Sequence, residues 1–492
     1  MDTRIAAPDL DPGIAHEAPR LRTVADLPCP RGWPLLGNLP QIRPSRMHID
    51  MENWSLRYGT LFRVMFGQKP MLVVADHATV NAVLRDRPDG FQRVPITRII
   101  SDELGGLPGV FLAEGSEWRS QRRMVMAGFA PHAIKAYFPS LVKVALRLQA
   151  RWHHAAVTGQ RIELLDDLKR YTVDIIAGLA FGTEVNTIDG GEDVIQRHLD
   201  IIMLGVARRS MAIFPHWRYF KLPSDRRLER SVAAMREAIH SLIGAARQRM
   251  EQDPTRRAHP PNLLESMIAA ADEGGSGVDD VAVAGNVSTM LLAGEDTTSN
   301  SIAWLLYLLH RHPAALHKAR QEVRRLAPDT AAFTIEQMDS LDYLDACVNE
   351  AMRLKPVAPF IPLQALRETV VGDVQLPKGG LVWCVMRHDS VDEARMQQAH
   401  AFDPERWLRP EEGAVAKHLT QPFGAGLRTC PGRYLALLEI KIAAAMLLSS
   451  FELEAVDTPD GAEARETMGF VMSPDGLTMR LRPLGLQPDG QG

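Results

Sequence analysis

The stretch Phe423-Gly-Ala-Gly-Leu-Arg-Thr-Cys-Pro-Gly432 carries the most specific information in the chain. Its two leading glycines let the backbone turn tightly and approach another group closely. Cys430 stands just before a helical run that begins at Arg433, and a helix N-terminus favours a thiolate over a thiol. An arginine at position 428 and an aromatic at position 423 add a cation and an apolar shield. Together these are the parts of a thiolate–iron site.

Other chemistries for this stretch were weighed against the same residues. A dinucleotide-binding loop is excluded because Thr429 stands where its third glycine would be. A nucleophilic cysteine hydrolase needs a histidine partner, which the sequence neither shows nor excludes. The remaining cysteines, at positions 29, 347 and 384, form no pair at metal-ligand spacing. We expect them to be small buried residues in a reducing compartment.

A long helix is predicted from about Asp279 to His312, where Pro313 ends it. At 1.5 Å per residue it is roughly 50 Å long, enough to cross the whole molecule. Most of its apolar stripe fits an ordinary core helix, but the glycine, acid and threonines at 294–298 do not. A glycine within a helix costs about 1 kcal/mol relative to alanine, and a buried carboxylate needs a partner. This polar patch is therefore where we expect function to override stability.

The rest of the chain is organised around this helix. Residues 118–355 have mostly helical patterns, whereas the β-branched runs 61–65 and 71–74 predict a hairpin near the N-terminus. Short strands and loops follow Pro356, and a last helix is predicted at 433–450. No internal boundary is visible. We expect one large domain, residues 28–485, mainly α with minor β sheets, between a polar, flexible segment 1–27 and a short tail 486–492.

Composition excludes several classes of protein. The 492 residues are 46% apolar and 24% charged, so the chain can bury a large core. A formal net charge of −4 argues against a general nucleic-acid binder, and four cysteines argue against a disulfide-built secreted scaffold. We find no charge-free run longer than Val281–Gly294, and residues 1–27 lack the apolar core of a signal peptide. We therefore expect a soluble, cytoplasmic protein without a membrane anchor.

At every fixed position, residues 423–432 resemble the haem-binding signature of the cytochrome P450 family, F-x-x-G-x-R-x-C-x-G. Further motifs follow in the family's order, so the resemblance covers about residues 28–480 and indicates a soluble, bacterial-type member. It implies the family's single large α-rich fold, a triangular prism with the long helix over the haem. It also implies haem b as cofactor, with the Cys430 thiolate as axial iron ligand and Phe423, Arg428 and Gly432 contributing to cofactor binding.

Glu350-Ala-Met-Arg353 is similar to the family's E-x-x-R motif. Such a pair one helical turn apart is more often a solvated surface pair worth well under 1 kcal/mol. With the downstream segment Phe402-Asp-Pro-Glu-Arg-Trp407, however, the resemblance implies a buried triad of Glu350, Arg353 and Arg406. The segment ends in tryptophan where the family more often has phenylalanine.

On the long helix, Ala293-Gly-Glu-Asp-Thr-Thr298 resembles the family's A-G-x-[DE]-T-[TS] motif. The resemblance implies that Ala293 and Gly294 leave room for the haem face and for dioxygen. Thr297 can bond back to the carbonyl of Ala293, which loosens the helix locally and holds water. Asp296 and Thr297 are then the catalytic pair that delivers protons for cleavage of the O–O bond.

Trp118-Arg-Ser-Gln-Arg122 places Trp118 and Arg122 on one helix face, and both can donate to a carboxylate. In the family these positions bind a haem propionate. The resemblance assigns Arg428 and Arg367 to the same task, although an ordinary surface arginine is the plain alternative for each cation.

The resemblance implies insertion of one oxygen atom of O₂, the co-substrate, into a lipophilic small molecule. Because only about 40 residues follow the last helix, we expect the electrons to come from NAD(P)H through a separate ferredoxin and ferredoxin reductase or a flavodoxin-type reductase. A peroxide-driven or non-oxygenating relative, and a non-catalytic haem protein that senses gas or holds a ligand, remain the alternatives.

Two surfaces are also predicted from the resemblance. The substrate pocket is expected to be lined by residues 91–112, parts of 205–220, the helix near Met290, residues 357–362 and residues 468–472. A basic patch for docking of the redox partner is expected on the Cys430 side. Its predicted members are Arg122, Arg123, Arg428, Arg433 and Lys441.

Overall fold

The computed structural model describes residues 21–107, 109–182, 186–190, 194–210, 212, 214–273 and 276–484. Its helices are α1 Met47–Tyr58, α2 His77–Arg85, α3 Pro95–Glu103, α4 Gly115–Gly128, α5 Pro131–Thr158, α6 Leu164–Phe181, α7 Val194–Ser210, α8 Pro223–Gln252, α9 Thr255–Ala258, α10 Leu263–Asp272, α11 Asp280–Arg311, α12 Pro313–Leu326, α13 Ile335–Asp339, α14 Asp342–Leu354, α15 Pro410–Leu419 and α16 Arg433–Ser450. Its strands are β1 Arg22–Thr23, β2 Leu61–Phe66, β3 Lys69–Val74, β4 Phe91–Arg93, β5 Ile162–Glu163, β6 Phe360–Ala365, β7 Thr369–Val371, β8 Val374–Leu376, β9 Leu381–Val385, β10 Phe451–Asp457, β11 Glu466–Met468, β12 Met472–Pro474 and β13 Thr478–Pro483. The predicted class, mainly α with minor β sheets, is confirmed.

The largest sheet joins the two ends of the chain. Its five strands lie in the order β2-β3-β9-β6-β4, so strands from the first hundred residues pair with strands that follow α14. The predicted hairpin is present as β2 and β3, which pair antiparallel with Leu61 opposite Val74. β3 then pairs in parallel with β9, whose side chains are largely buried. This pairing fixes the loops around β4 and β6 beside the helical core.

The segment from Leu21 to Leu27 departs from the expected flexible N-terminus. β1 pairs in parallel with β8, Arg22 opposite Val374, and the short turn after it buries Val24 and Leu27. Apolar side chains and a paired strand therefore anchor this segment to the fold. The rest of the predicted segment, residues 1–20, and the predicted tail 486–492 lie outside the described residues.

The centre of the helical core is α11, which has the predicted bounds. Asp279 caps its N-terminus by accepting a hydrogen bond from the Ala282 N–H at 2.9 Å, and the helix ends at Arg311 before Pro313. Its C-terminal half is buried among α6, α12, α14 and α16, with Trp304 fully inaccessible. No helix in the described ranges, α11 included, is long and apolar enough to cross a membrane.

Candidate active site

The loop between α15 and α16 presents Cys430 in a locked backbone. The Cys430 N–H donates to the Phe423 carbonyl at 3.0 Å, which closes the loop on itself, and the Thr429 hydroxyl donates to the Gly426 carbonyl at 2.7 Å. Gly426 has a φ of 70°, and a side chain there would begin 2.8 Å from the Cα of Arg85. Glycine is therefore required for the loop to pack on the end of α2.

The Cys430 residue is exposed to solvent, although burial of its thiol among the surrounding segments dominates its pKa. Burial raises the pKa of this thiol and outweighs the Gly432 N–H, Arg122 and Arg433, which lower it. Burial therefore opposes the preference for a thiolate that the helix N-terminus provides in this loop. A metal ion that binds the sulfur has to displace the proton.

Trp118, Arg122 and Arg428 converge beside this loop. The Arg428 guanidinium lies 4.5 Å from the centre of the buried Trp118 ring. It pairs with the Glu114 carboxylate and donates to the Ala113 carbonyl at 2.7 Å. Arg122 donates to the Thr429 carbonyl at 2.7 Å, next to Cys430. The α4 tryptophan–arginine motif and the cysteine loop are therefore in direct contact.

Arg87, a buried arginine near this cluster, was not predicted from the sequence. Its side chain is 4% exposed, and in the described part of the chain its Nε and Nη2 contact no hydrogen-bond acceptor. Burial lowers the pKa of Arg87, and burial together with Arg87 and Arg122 lowers the pKa of Arg428 to about 10. With Arg93 also close, several cations share the single Glu114 carboxylate. This excess positive charge fits a ligand with two carboxylates, as a haem has.

Arg367 lies apart from this cluster. Its guanidinium is half exposed and donates to both carboxylate oxygens of Asp86 at 2.8 Å. Asp86 and Arg87 are adjacent in the chain. The half-exposed Arg367 therefore pairs with the residue directly before the buried Arg87. No signal in the sequence distinguishes Arg87 from Arg367, because only the packing of β4 and the preceding turn decides which arginine is buried.

The polar patch in α11 has the local geometry that its sequence predicts. The Thr297 hydroxyl donates to the Ala293 carbonyl at 2.6 Å. The Asn300 amide and the Ser301 hydroxyl make the same type of bond one turn later, to the carbonyls of Asp296 and Thr297. Such side-chain bonds compete with the helical ladder and favour local bending.

The position of Gly294 corrects one expectation. A Cβ at Gly294 would lie 2.5 Å from Cδ1 of Ile176 on α6, so the missing side chain permits two helices to pack closely. Ala293, one position earlier and rotated by about 100°, lines the cavity described below. Of the small pair, Ala293 faces the open space and Gly294 faces a neighbouring helix.

Two charged residues around α11 were not anticipated. Lys169 on α6 pairs with Asp296 at 3.0 Å. Burial lowers the pKa of Lys169, but Asp296, Asp200 and Glu295 together raise it above its usual value. Glu439 on α16 is wholly buried, and burial raises its pKa to about 8 although a hydrogen bond with Thr298 lowers it. Both contacts join residues that are far apart in sequence.

Glu350, Arg353 and Arg406 form a fully buried cluster at the end of α14. Arg353 donates to both Glu350 oxygens at 2.7 Å, and Arg406 donates to one of them at 3.3 Å. The Trp407 indole N–H also donates to Glu350, at 2.8 Å, which a phenylalanine at this position could not do. The remaining N–H groups of the two arginines bond main-chain carbonyls of Ser390, Gln397, Gln398, Ala399 and Ala401.

An apolar cavity lies between α3, α7, α8 and α11. Residues between 97 and 112 line it, as does Phe470. From α11 the lining residues are Ser288, Thr289, Leu292 and Ala293, on either side of the predicted Met290, which is not among them. From α7 the lining residues are 202–206, so only the start of the predicted segment 205–220 takes part. Residues 357–362, which were also expected, are not among the lining residues described.

The predicted basic patch on the Cys430 side is smaller than expected. Arg123 and Arg433 are exposed. Arg122, however, is bound to the Thr429 carbonyl, and Arg428 is paired with Glu114. Lys441 is buried and faces Asp345 at 3.6 Å. Of the five predicted cations, two are available at this surface.

Comparison with known proteins gives matches over nearly the whole described chain. The family model for cytochrome P450 matches residues 27–481. A self-sufficient cytochrome P450 monooxygenase of Oidiodendron maius is 28% identical over 440 residues, 88% of this chain and 40% of that protein. Human cytochrome P450 4F12 is 27% identical over 482 residues, 93% of this chain and 89% of that protein. The crystal structure of the cytochrome P450DA heme domain is 26% identical, with a TM-score of 0.80, and covers 94% of this chain and 98% of that chain. The chain thus spans less than half the length of the fungal relative.

Proposed function

The chain belongs to the cytochrome P450 family, and from this we propose that it is a haem-thiolate monooxygenase that acts on a lipophilic small molecule. The observation that carries the proposal is the Cys430 loop, held beside a cluster of buried arginines with too few carboxylates to balance them.

 The positive charge there comes from Arg87, Arg93 and Arg428, with Glu114 as the nearby carboxylate. An apolar cavity adjoins the polar patch of α11 on another side.

The described residues fit the haem group that this function needs. Cys430 supplies the sulfur ligand, and Phe423 and Gly432 flank it in the same loop. Arg428, Arg87 and Trp118 are the donors we assign to the propionates, with Arg122 beside the sulfur. When bound, haem with a thiolate ligand supplies the activation of O₂ for insertion into an unreactive bond.

The chain's own part in the reaction is to bind, to orient and to move protons. The Thr297 hydroxyl donates its hydrogen bond to the Ala293 carbonyl, so its oxygen can accept a hydrogen bond from a water molecule in the cavity. The Asp296 carboxylate, held by Lys169, is the acid that we assign to carrying protons to this position. Lys169 is then a positioning residue, because it acts through the carboxylate.

Several finer assignments belong to the same proposal. We propose separate redox proteins as the electron donors, docking near the exposed Arg123 and Arg433. A soluble, cytoplasmic member of bacterial type stays a prediction from the sequence, and the relatives named above that carry an organism name are fungal and human.

The experiment supplies the haem-loaded chain with NADPH, a surrogate ferredoxin and its reductase, a panel of lipophilic compounds and dioxygen labelled with heavy oxygen. We expect a product that carries one labelled atom, and only when the redox proteins are added. Product formation without the added redox proteins would contradict the assignment of separate proteins as electron donors. A product without label, or none with any partner, would contradict the monooxygenase assignment.

Thr297→Ala is expected to lower the ratio of product to NADPH consumed by about tenfold or more, because it removes the hydroxyl that holds the water through which protons are delivered. Hydrogen peroxide should rise in proportion while haem stays bound. Ser301→Ala is the matched control, since it removes the same type of bond one turn along α11. Equal product yield in Thr297→Ala and Ser301→Ala would contradict the role of Thr297.

Arg87→Gln is expected to speed transfer of haem from the chain to apomyoglobin by roughly tenfold or more, because it removes a buried charged donor. Arg87→Lys should retain most of the affinity. Arg367→Ala separates the two candidate arginines, because its guanidinium is half exposed and bound to Asp86. If Arg367→Ala releases haem faster and Arg87→Gln does not, the propionate donor is Arg367.

A further inference from the structure

The apolar cavity contains one charged side chain. Among the described residues that line it, Arg236 alone carries a charge, and the uncharged polar lining residues are Thr97, Ser101, Ser288 and Thr289. All other lining residues are apolar or glycine. Arg236 is exposed, so its guanidinium lies at a side of the cavity that solvent reaches. A single charged group in a mostly apolar site is of the kind that fixes the orientation of a bound molecule.

Arg236 lies on the face of α8 that lines the cavity. Val232, Met235 and Ile239 line the cavity from the same helix, at the spacing of a single helix face, and all three are buried. Arg236 belongs to this face. Its neighbour Glu237 is exposed and is not among the lining residues.

Arg236 also lacks an acidic partner in the described part of the chain. Its contact is a long hydrogen bond of 3.4 Å from Nη1 to the Gly105 carbonyl. Two buried or half-buried arginines around the same helices are, by contrast, paired with carboxylates. Arg209 bonds Asp225 at 2.9 Å, and Arg247 bonds Asp272 at 3.0 Å.

The loop that faces Arg236 is built from small residues. A Cβ on Gly105 would lie 3.1 Å from Nη1 of Arg236, so glycine lets the guanidinium approach the loop closely. A Cβ on Gly106 would lie 2.4 Å from the Ser101 hydroxyl, so that hydroxyl lies beside the same loop. Arg236 and Ser101 therefore form a polar rim, whereas Leu292 and Ala293 of α11 form a different wall.

We propose that Arg236 binds the carboxylate of an otherwise apolar substrate and so determines which molecules enter the cavity in a productive orientation. This inference rests on the proposed function and narrows its substrate class to apolar carboxylic acids. A guanidinium binds a carboxylate through two parallel hydrogen bonds, and one cation balances one carboxylate. The apolar part of the molecule then lies along Met235, Ile239 and Leu292 toward Ala293.

Calorimetric titration of the haem-loaded chain with dodecanoate and with dodecan-1-ol tests this proposal. The two probes share one apolar chain and differ in charge. We expect Arg236→Gln to weaken binding of dodecanoate by about tenfold, the usual effect of losing a hydrogen bond to a charged group, and to leave binding of dodecan-1-ol unchanged. Arg236→Lys should weaken binding of dodecanoate less than Arg236→Gln does, because it keeps the charge but loses the second parallel hydrogen bond. Arg230→Gln, an exposed arginine on the same helix that does not line the cavity, is the control.

Equal weakening of both probes, unchanged binding of dodecanoate, or no binding of dodecanoate to the unmodified chain would overturn the proposal. Binding is measured here without turnover, so the result is independent of oxygen insertion. A chain that selects the acid through Arg236 but incorporates no labelled oxygen would contradict the proposed function and leave this inference standing. A chain that incorporates labelled oxygen but binds dodecanoate equally well with and without Arg236 would contradict only the role of Arg236.

Discussion

Cys430→Ser is expected to abolish product formation and to remove the red-shifted absorption band that a thiolate-ligated haem gives when reduced and bound to carbon monoxide. A serine oxygen is a far poorer electron donor to iron than a thiolate, and thiolate donation is what favours cleavage of the O–O bond. The backbone of the loop should persist, because the Cys430 N–H bonds the Phe423 carbonyl whatever the side chain is. The absorption spectrum of the reduced, carbon-monoxide-bound protein is the measurement.

The control for this variant is another accessible cysteine. Cys29 is half-buried, and its sulfur contacts the Pro30 carbonyl at 3.3 Å, in the N-terminal loop. Cys29→Ser should keep both the absorption band and the activity. A red-shifted band that survives in Cys430→Ser would show that another sulfur binds the iron, and the assignment of the whole site would then be wrong.

Glu350→Gln is expected to lower the free energy of unfolding by about 3 to 5 kcal/mol, the usual result of removing one partner from a buried ion pair. Glu350 accepts hydrogen bonds from Arg353, Arg406, Trp407 and the Asp403 N–H. The side chains of Glu350, Arg353 and Arg406 are inaccessible to water. The amide leaves two buried guanidinium groups without a negative charge. Urea unfolding followed by circular dichroism is the measurement.

Glu405→Gln provides the comparison for this variant. Glu405 lies one residue before Arg406 and pairs with Lys318, but both side chains are largely exposed. Its replacement should change the free energy of unfolding by less than about 1 kcal/mol, as for surface ion pairs in general. If the two variants were equally stable, the buried cluster would contribute little to the fold.

Features that depend on local spacing could be predicted from the sequence. The ends of α11 follow from Asp279 and Pro313, and the bond from Thr297 to the Ala293 carbonyl follows from a separation of one helical turn. The closed turn before Cys430 follows from its glycines. In each case the atoms that meet are within about ten residues, so the helix or turn itself fixes their geometry.

Features that depend on packing between distant segments could not be predicted in the same way. Lys169 reaches Asp296 only because α6 and α11 pack along their length, and the same packing explains Gly294. The burial of Arg87 depends on strands that pair across the chain. The pKa of the Cys430 thiol depends on how much water the surrounding segments exclude, which outweighs the local effect of the helix N-terminus.

The manner in which Arg353 and Arg406 hold the segment from Ser390 to Ala401 has a consequence for its evolution. Their guanidinium groups bond five carbonyl oxygens of this segment and none of its side chains. Carbonyl groups are the same in every residue, so the exposed amino acids of this segment can be exchanged without loss of these hydrogen bonds, whereas Met396 and Ala399 are buried against Ala416 and Leu419. Insertion or deletion of a residue shifts the carbonyls away from their donors. Related chains should therefore diverge at the exposed positions of this segment while they preserve its length.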